Sequence, residues 1–298
     1  MPDLTVVVPT YNQAELLREC LRSLVDQTLP TDRYEVIVVD DGSTDHTAAV
    51  LREFSPRVRA VRLPSNRGRS AARNAGIREA AAPLVVLIDS DIVVRPDFLD
   101  RHLDVHRRRG PGVVSRGPVV DVPDAATARR SRLRWVPPSP AFLTTANAAV
   151  EKAALLRAGL FDEDFPGYGW EDFELGLRLQ RLGLRRVFCR QAVAFHLAPA
   201  ARPVDVDALL AKEEDRARSA VHFYRKHPTF QTRILIQATR LHRLLYWLQT
   251  AGGLTTRENI RAVTSALRRH RLGGLADLAL RGVLNRHYLY TLEGALKE

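Results

Sequence analysis

Two cysteines in 298 residues, Cys20 and Cys189, leave no material for a disulfide framework, so a reducing compartment is expected. No run of about 18 uncharged apolar residues occurs, which excludes a membrane-spanning helix. Met1-Pro2-Asp3 carries no basic stretch and the apolar run Leu4 to Val8 is short, so no secretory leader is expected. There is no internal repeat and no low-complexity tract. No G-x-G-x-x-G follows the first apolar run, which argues against a dinucleotide oxidoreductase. Pro9-Thr10-Tyr11-Asn12-Gln13 stands in that place without a glycine, whereas a nucleotidyltransferase needs a glycine-rich phosphate loop there. What remains, 45% hydrophobic and 27% charged, is the balance of an ordinary globular protein.

The net charge of +11 is unevenly placed. Residues 201–298 hold 17 Lys/Arg against 9 Asp/Glu, and residues 1–200 hold 28 against 25. A basic third can attract nucleic acid, anionic membrane or polyanionic substrate, and composition alone does not choose. It has neither zinc-ligand spacing nor the aromatic ladder of single-strand binders, so nucleic acid is not expected as a partner.

The first 110 residues alternate strand and helix patterns. Leu4–Pro9, Glu35–Asp40, Val58–Leu63 and Leu84–Asp89 are continuous apolar runs rich in Val and Ile, the pattern of strands buried on both faces. Helical stretches lie between them at about 13–27, 45–54 and 69–81, which predicts βαβ units and a mostly parallel sheet. In such sheets ligands bind beyond the carboxyl ends of the strands, and three of these runs lead directly into polar clusters there. Residues 111–140, rich in Pro and Arg, predict loop plus edge structure. A strand is expected around 143–150, helices near 151–158 and 171–182, and helix throughout after Pro203.

Four of the polar clusters carry chemistry. Asp89-Ser90-Asp91 puts two carboxylates at one strand end. They repel unless a cation joins them, and oxygen ligands suit Mg²⁺ or Mn²⁺; a solvated turn is the plainer reading. Asp40-Asp41-Gly42-Ser43-Thr44-Asp45 can cap a helix, and its carboxylates can also accept hydrogen bonds from a nucleoside. In the 66–76 stretch the small residues allow close packing on the sheet, and Arg69 and Arg73 share one helical face. Glu171 and Asp172 open a helix after the aromatic loop Tyr168-Gly169-Trp170. Acids are favoured there by the helix dipole, and one of them can also serve as a general base beside flat apolar rings that face a sugar. Glu174 and Arg178, at i and i+4, form a supporting pair worth a few tenths of a kcal/mol. His196 ends another apolar run, where a local hydrogen bond is the usual fate and metal ligation the sharper alternative.

In this order, Val6-Val7-Val8-Pro9-Thr10-Tyr11-Asn12, Asp40 to Asp45, Asn66 to Gly76, Asp89-Ser90-Asp91 and Gly169-Trp170-Glu171-Asp172 resemble the inverting nucleotide-sugar glycosyltransferases of family 2 over roughly residues 3–200. The resemblance implies a GT-A type α/β domain over residues 1–200, with a central mostly parallel mixed sheet flanked by helices. A helical basic region over 201–298 would pack on it. It implies that Pro9, Thr10, Asn12, Asp41, Asn66, Arg73, Asp89 and Ser90 bind the nucleotide sugar, with Asn147 and Trp170 near the sugar. Asp91, Asp89 and His196 would hold Mn²⁺ or Mg²⁺, and Asp172 would be the base with Glu171 as its rival. The implied donor is a UDP-sugar, with GDP- or dTDP-sugars as alternatives. The implied acceptor is a hydroxyl of a growing cell-surface glycan, polyprenyl-linked, met in the cytoplasm or at the inner face of the membrane. A non-catalytic sugar-nucleotide-binding relative or a nucleotidyltransferase-like enzyme is the alternative.

In the basic third, Ile234, Ala238, Leu241, Leu245 and Leu248 fall on one helical face, with Arg233, Arg240 and Arg243 on another. This predicts either a helix packed on the first domain or one lying on anionic lipid. Arg216 to His227 resembles a segment of bacterial enzymes of surface-polysaccharide assembly.

Overall fold

A computed structural model describes residues 1–131, 141–198 and 205–297. The strands are β1 Leu4–Thr10, β2 Tyr34–Asp40, β3 Val58–Arg62, β4 Leu84–Leu87, β5 Ile92–Val94, β6 Val113–Arg116, β7 Val119–Val122, β8 Ala148–Glu151, β9 Arg185–Phe188 and β10 Ala194–Leu197. The helices are α1 Ala14–Val25, α2 Thr47–Glu53, α3 Arg69–Glu79, α4 Phe98–Arg109, α5 Ala125–Arg130, α6 Lys152–Arg157 and α7 Glu171–Arg181. After them come α8 Val206–Lys226, α9 Phe230–Leu235, α10 Arg240–Gln249, α11 Ile260–Arg269 and α12 Gly273–Ala295. The chain forms two compact units, one of Met1–Glu163 with Asp172–Ala200, the other of Asp164–Glu171 with Ala201–Glu298.

The first unit is a seven-stranded mixed sheet in the order β3-β2-β1-β4-β8-β6-β9. The strands β1 to β4 run parallel, and β8 is antiparallel to both of its neighbours. The period of two along β1 assigns its faces. Val6 and Val8 join Leu17, Leu21 and Leu24 of α1 on one side, whereas Val7 joins Ile77, Leu175 and Leu179 on the other. Helix α3 approaches the sheet so closely that a Cβ on Gly76 would lie 2.4 Å from a methyl of Val7, which is why small residues recur along it.

Of the loop plus edge structure expected over 111–140, β7 is an edge strand of a second sheet, but β6 departs from the expectation. It lies inside the sheet, paired to β8 and to β9, because Val113 and Val114 are both apolar and buried. The Pro-rich part of that stretch, 132–140, falls outside the described residues. A second sheet of three strands, β5-β10-β7, follows from pairings between segments about 75 to 105 residues apart, which no local pattern announces.

The second unit is helical. α8 and α12 are its long members, and α10 and α11 pack on α12. The single helix that the spacing of residues 234–248 suggests is broken. α9 ends at Leu235, Gln237 has a positive φ of 59°, and α10 restarts behind Thr239, whose side chain accepts from the His242 N–H.

Candidate active site

The loops after β1 and β2 are latched to each other at the carboxyl end of the sheet. Asn12 Oδ1 accepts from the N–H groups of Thr44 (2.7 Å) and Asp45 (3.2 Å), and the Asn12 N–H donates to Ser43 Oγ (2.9 Å). Asp45 accepts from the Ala14 N–H at the start of α1 and from the Thr47 N–H at the start of α2, so one carboxylate serves both helices. Gly42 makes the turn with φ of +76°, and a Cβ there would stand 2.8 Å from the Ser65 backbone.

The paired acids of this loop divide their work. Asp40 is structural: Oδ1 accepts from the Ser43 N–H and Oδ2 from Arg62, both within 2.8 Å. Asp41 accepts from the N–H groups of Arg67 and Gly68, each at 2.8 Å, and so pins the loop holding Asn66. Burial is the largest influence on its carboxyl and raises its pKa, while those two N–H groups act in the opposite sense. Beside it, Thr10 Oγ1 is buried with no hydrogen-bond partner among the described residues, a polar atom left over at the mouth of the sheet. Pro9 precedes it in β1 with its strand fully buried.

Past β4 the acids separate. Asp89 Oδ1 accepts from Arg73 Nη2 at 2.7 Å, and Arg73 itself is buried, with its guanidinium 5.5 Å from the Phe161 ring centre. Ser90 donates to Gln13. Asp91 turns the other way, toward His196, whose Nε2 lies 3.2 Å from Asp91 Oδ2. The register of β10 sets this up. His196 stands opposite Ile92 on one side and Asp121 on the other, and Asp121 Oδ1 is 2.8 Å from Nδ1. Hydrogen bonding to Asp91 first, and to Asp121 after it, moves the imidazole pKa up to about 9 despite partial burial.

A divalent cation could enter this line of carboxylate, imidazole and carboxylate only in exchange for the proton between His196 Nε2 and Asp91. Asp121 holds one ring nitrogen, the arrangement that orients metal-binding histidines, and leaves the other beside Asp91. Among the described residues no three His, Cys, Asp or Glu side chains gather to hold a metal unaided. A cation held by Asp91 and His196 would need further oxygen donors, such as substrate phosphates, as is common for Mg²⁺ and Mn²⁺. Asp89, expected among the ligands, has one carboxylate oxygen, Oδ1, on Arg73. Asp121 was missed, and only the β7–β10 pairing reveals it.

Asn147 is also corrected. It is 0% exposed, and its side chain is consumed by the fold. Nδ2 donates to the carbonyls of Pro118 and Ala192, while Oδ1 accepts from His102 Nε2 at 2.9 Å. It ties β8 to neighbouring loops and has nothing left for a sugar. His102, enclosed between Asn147 and Ser115, is held neutral, with burial pushing its pKa down to about 4.

Asp172 lies in the first turn of α7, half-buried, accepting from the Phe173 N–H at 2.8 Å. One turn on, Glu174 and Arg178 are more than a surface pair. Glu174 is fully buried, Arg178 grips both of its oxygens, and the guanidinium also donates to the carbonyls of Ala158 and Leu160. Glu171 and Trp170 belong to the second unit. Trp170 is not an open platform: it is buried, its Nε1–H donates to the Arg216 carbonyl at 3.0 Å, and its ring lies 6.4 and 6.5 Å from those of Phe223 and Tyr288. A positive φ of 74° at Trp170 turns the ring into this cluster. The 216–227 segment singled out in the sequence puts one face, with Ala217, Ala220 and Phe223, into the core and leaves Arg218, Arg225 and Lys226 exposed, with Arg216 stacked 4.2 Å over Tyr288.

The profile of Glycosyl transferase family 2 matches residues 5–158. The chain belongs to that family. Among curated proteins it is 32% identical to validoxylamine A glucosyltransferase of Streptomyces hygroscopicus subsp. jinggangensis, over 77% of this chain and 62% of that one. It is 27% identical to the chondroitin synthase of Escherichia coli, over 78% of this chain and 40% of that one. The chain thus spans less than two thirds of these relatives' length. Among solved structures it resembles the mannosyltransferase PcManGT from Pyrobaculum calidifontis in complex with GDP-Man and Mn²⁺, with a TM-score of 0.61 and 22% identity over 99% of this chain and 87% of that one. It also resembles S. aureus TarS 1–349 in complex with UDP, with a TM-score of 0.54 and 20% identity over 100% of this chain and 92% of that one. The fold of this family-2 chain is accordingly of the GT-A type: a mixed sheet flanked by helices, with a helical C-terminal region.

Proposed function

We propose that the chain transfers a sugar from a nucleoside-diphosphate donor to an acceptor hydroxyl by a single inverting displacement, with Mn²⁺ or Mg²⁺ as cofactor, in the assembly of a cell-surface polysaccharide or glycolipid. The observation that carries the reading is the Asp91–His196–Asp121 line at the edge of a sheet whose β1, β2 and β4 loops are cross-latched. A divalent cation bound there would offset the charge that gathers on the departing diphosphate.

The other roles belong to the chain's own side chains. Pro9, Thr10, Asn12, Asp41, Asn66 and Ser90 shape the nucleoside pocket, with Thr10 Oγ1 supplying an unused polar atom. Arg73 steadies Asp89 within the same pocket. Asp91 and His196 hold the cation. Asp172 takes the proton from the acceptor oxygen as it attacks, with Glu171 as the competing base. The two structural neighbours carry GDP-Man and UDP, so the nucleotide is chosen by test, with UDP first and GDP or dTDP after it. The chondroitin synthase relative and the poly(ribitol-phosphate) beta-glucosyltransferase of Bacillus spizizenii, 36% identical over 33% of this chain, support a glycan acceptor. In this reading that acceptor is polyprenyl-linked and met at the inner face of the membrane.

The test joins binding to turnover. UDP-, GDP- and dTDP-sugars are compared by thermal shift with and without Mn²⁺, and the stabilising donor is then used to measure sugar release and transfer. Asp172→Asn should keep the donor shift and lose about 10²–10⁴-fold in rate. A rate near wild type moves the base to Glu171 or abandons the mechanism. Donor binding without transfer by the wild-type chain, across a panel of acceptors, leaves the non-catalytic relative standing instead.

A further inference from the structure

Helix α10 is amphipathic the wrong way round. Its inward side carries Tyr246, which is buried, and Gln249 and Thr250, which meet Asn285 and Arg286 of α12. Its outward side carries Leu241, Leu244, Leu245 and Leu248, at i, i+3, i+4 and i+7, exposed by 62, 52, 43 and 57%. Trp247 beside them is 49% exposed, and Phe230, Ile234 and Leu254 nearby in the chain are exposed as well. Isolated apolar residues on a surface are ordinary; a continuous leucine stripe with a tryptophan is not.

The charge around this stripe says what covers it. Residues 228–275 hold eight arginines and one acid, Glu258. Some of the arginines are paired, Arg243 with Glu293, Arg261 with Asp207 and Arg268 with Asp277. Arg233, Arg240, Arg269 and Arg271 are exposed and have no ion-pair partner among the described residues. A second copy docked on this face would set arginine against arginine. An anionic lipid surface matches both parts: leucines and tryptophan enter the acyl boundary while arginines meet the headgroups. Among the described residues no helix is long and apolar enough to cross a membrane, so the helix would lie on the surface rather than span it.

We infer that α10 is an interfacial helix that docks the protein on anionic bilayers through Leu241, Leu244, Leu245, Trp247 and Leu248, with Arg233 and Arg240 as its electrostatic contacts. The inference deepens the membrane part of the proposed function and stands apart from the chemistry of transfer.

The full chain is sedimented with vesicles of phosphatidylcholine alone and of phosphatidylcholine with phosphatidylglycerol, at low and high salt. Binding should require the anionic lipid and weaken with salt. The variant carrying Leu241→Ser, Leu244→Ser, Leu245→Ser and Leu248→Ser should lose at least about tenfold in partitioning. Arg233→Gln with Arg240→Gln should lose a comparable factor on anionic vesicles. Because the leucines face solvent, the serine variant should keep the wild-type melting temperature and donor shift. Equal partitioning of wild type and serine variant overturns the inference. So does a wild type that ignores vesicles, or a dimer in sedimentation that the serine substitutions dissolve. Donor shift and transfer are measured on the same samples, so failure of docking with transfer intact is separable from failure of the transfer reading.

Discussion

The two units are held by different chemistry. In the α/β unit polar groups are part of the framework. Asn12 ties two loops, Asp45 serves two helices, Asn147 fastens β8, and Glu174 and Arg178 are sealed together inside. In the helical unit the framework is ring and small-residue packing: Trp170, Phe223 and Tyr288 meet, and Ala276, Ala279 and Gly282 line the buried side of α12. The first unit fixes its polar groups in hydrogen bonds, in surface loops as well as inside; the second leaves part of its apolar surface outward. A rim that binds a charged ligand needs dipoles that do not reorganise, and these cost folding energy unless every one is paired. A surface that meets lipid needs only area and positive charge.

Three measurements sharpen or break that contrast. The largest effect is expected from Trp170→Ala. It should cost about 3–5 kcal/mol, toward the top of that range because the Arg216 carbonyl also loses its donor. The loss should show in denaturant melts, with donor affinity retained. A fall in donor affinity at unchanged stability would return Trp170 to the sugar site and erase the distinction between the units.

Next comes Arg178→Met. It removes the guanidinium that grips both oxygens of the buried Glu174 carboxylate, which should cost about 3 kcal/mol or more. Adding Glu174→Leu should recover most of the loss, since an apolar pair of similar size removes the stranded charge. A double variant no better than the single one would mean that the network, not the charge, carries the stability.

The smallest of the three is acid lability. His102 is neutral in the fold with a pKa near 4, against about 6.5 unfolded, so the unfolded state binds more protons between those values. Stability therefore falls as pH drops from about 6.5 toward 4, by about 3 kcal/mol in all. Urea midpoints across this range should slope for wild type and flatten for His102→Gln. The slope should appear in the transition of the sheet unit, where His102 lies.

Much of the first unit was legible beforehand. The Val-rich runs at 4–10, 34–40 and 84–87 announce buried parallel strands, because a strand covered on both faces has no polar side to hide. The polar clusters behind them mark the carboxyl-end rim of the sheet, the place where ligands of such sheets bind. Asp89 and Asp91 illustrate the limit. Two acids one residue apart look like one site, yet Arg73 takes the first and His196 the second. The reach of each was decided by partners 16 and 105 residues away.

What the order of residues determined by itself was the alternating architecture and the polar clusters behind its strands, which rest on periodicity and turn chemistry that act within a few residues; the family shows in the order of its motifs. Tertiary structure alone decided that Asp121 backs His196, that Asn147 and Trp170 are building material, and that the leucines of α10 face outward. These depend on which distant segments meet, and local preference is indifferent to that. An amphipathic pattern shows that a helix has an apolar side; only packing shows whether the protein has covered it.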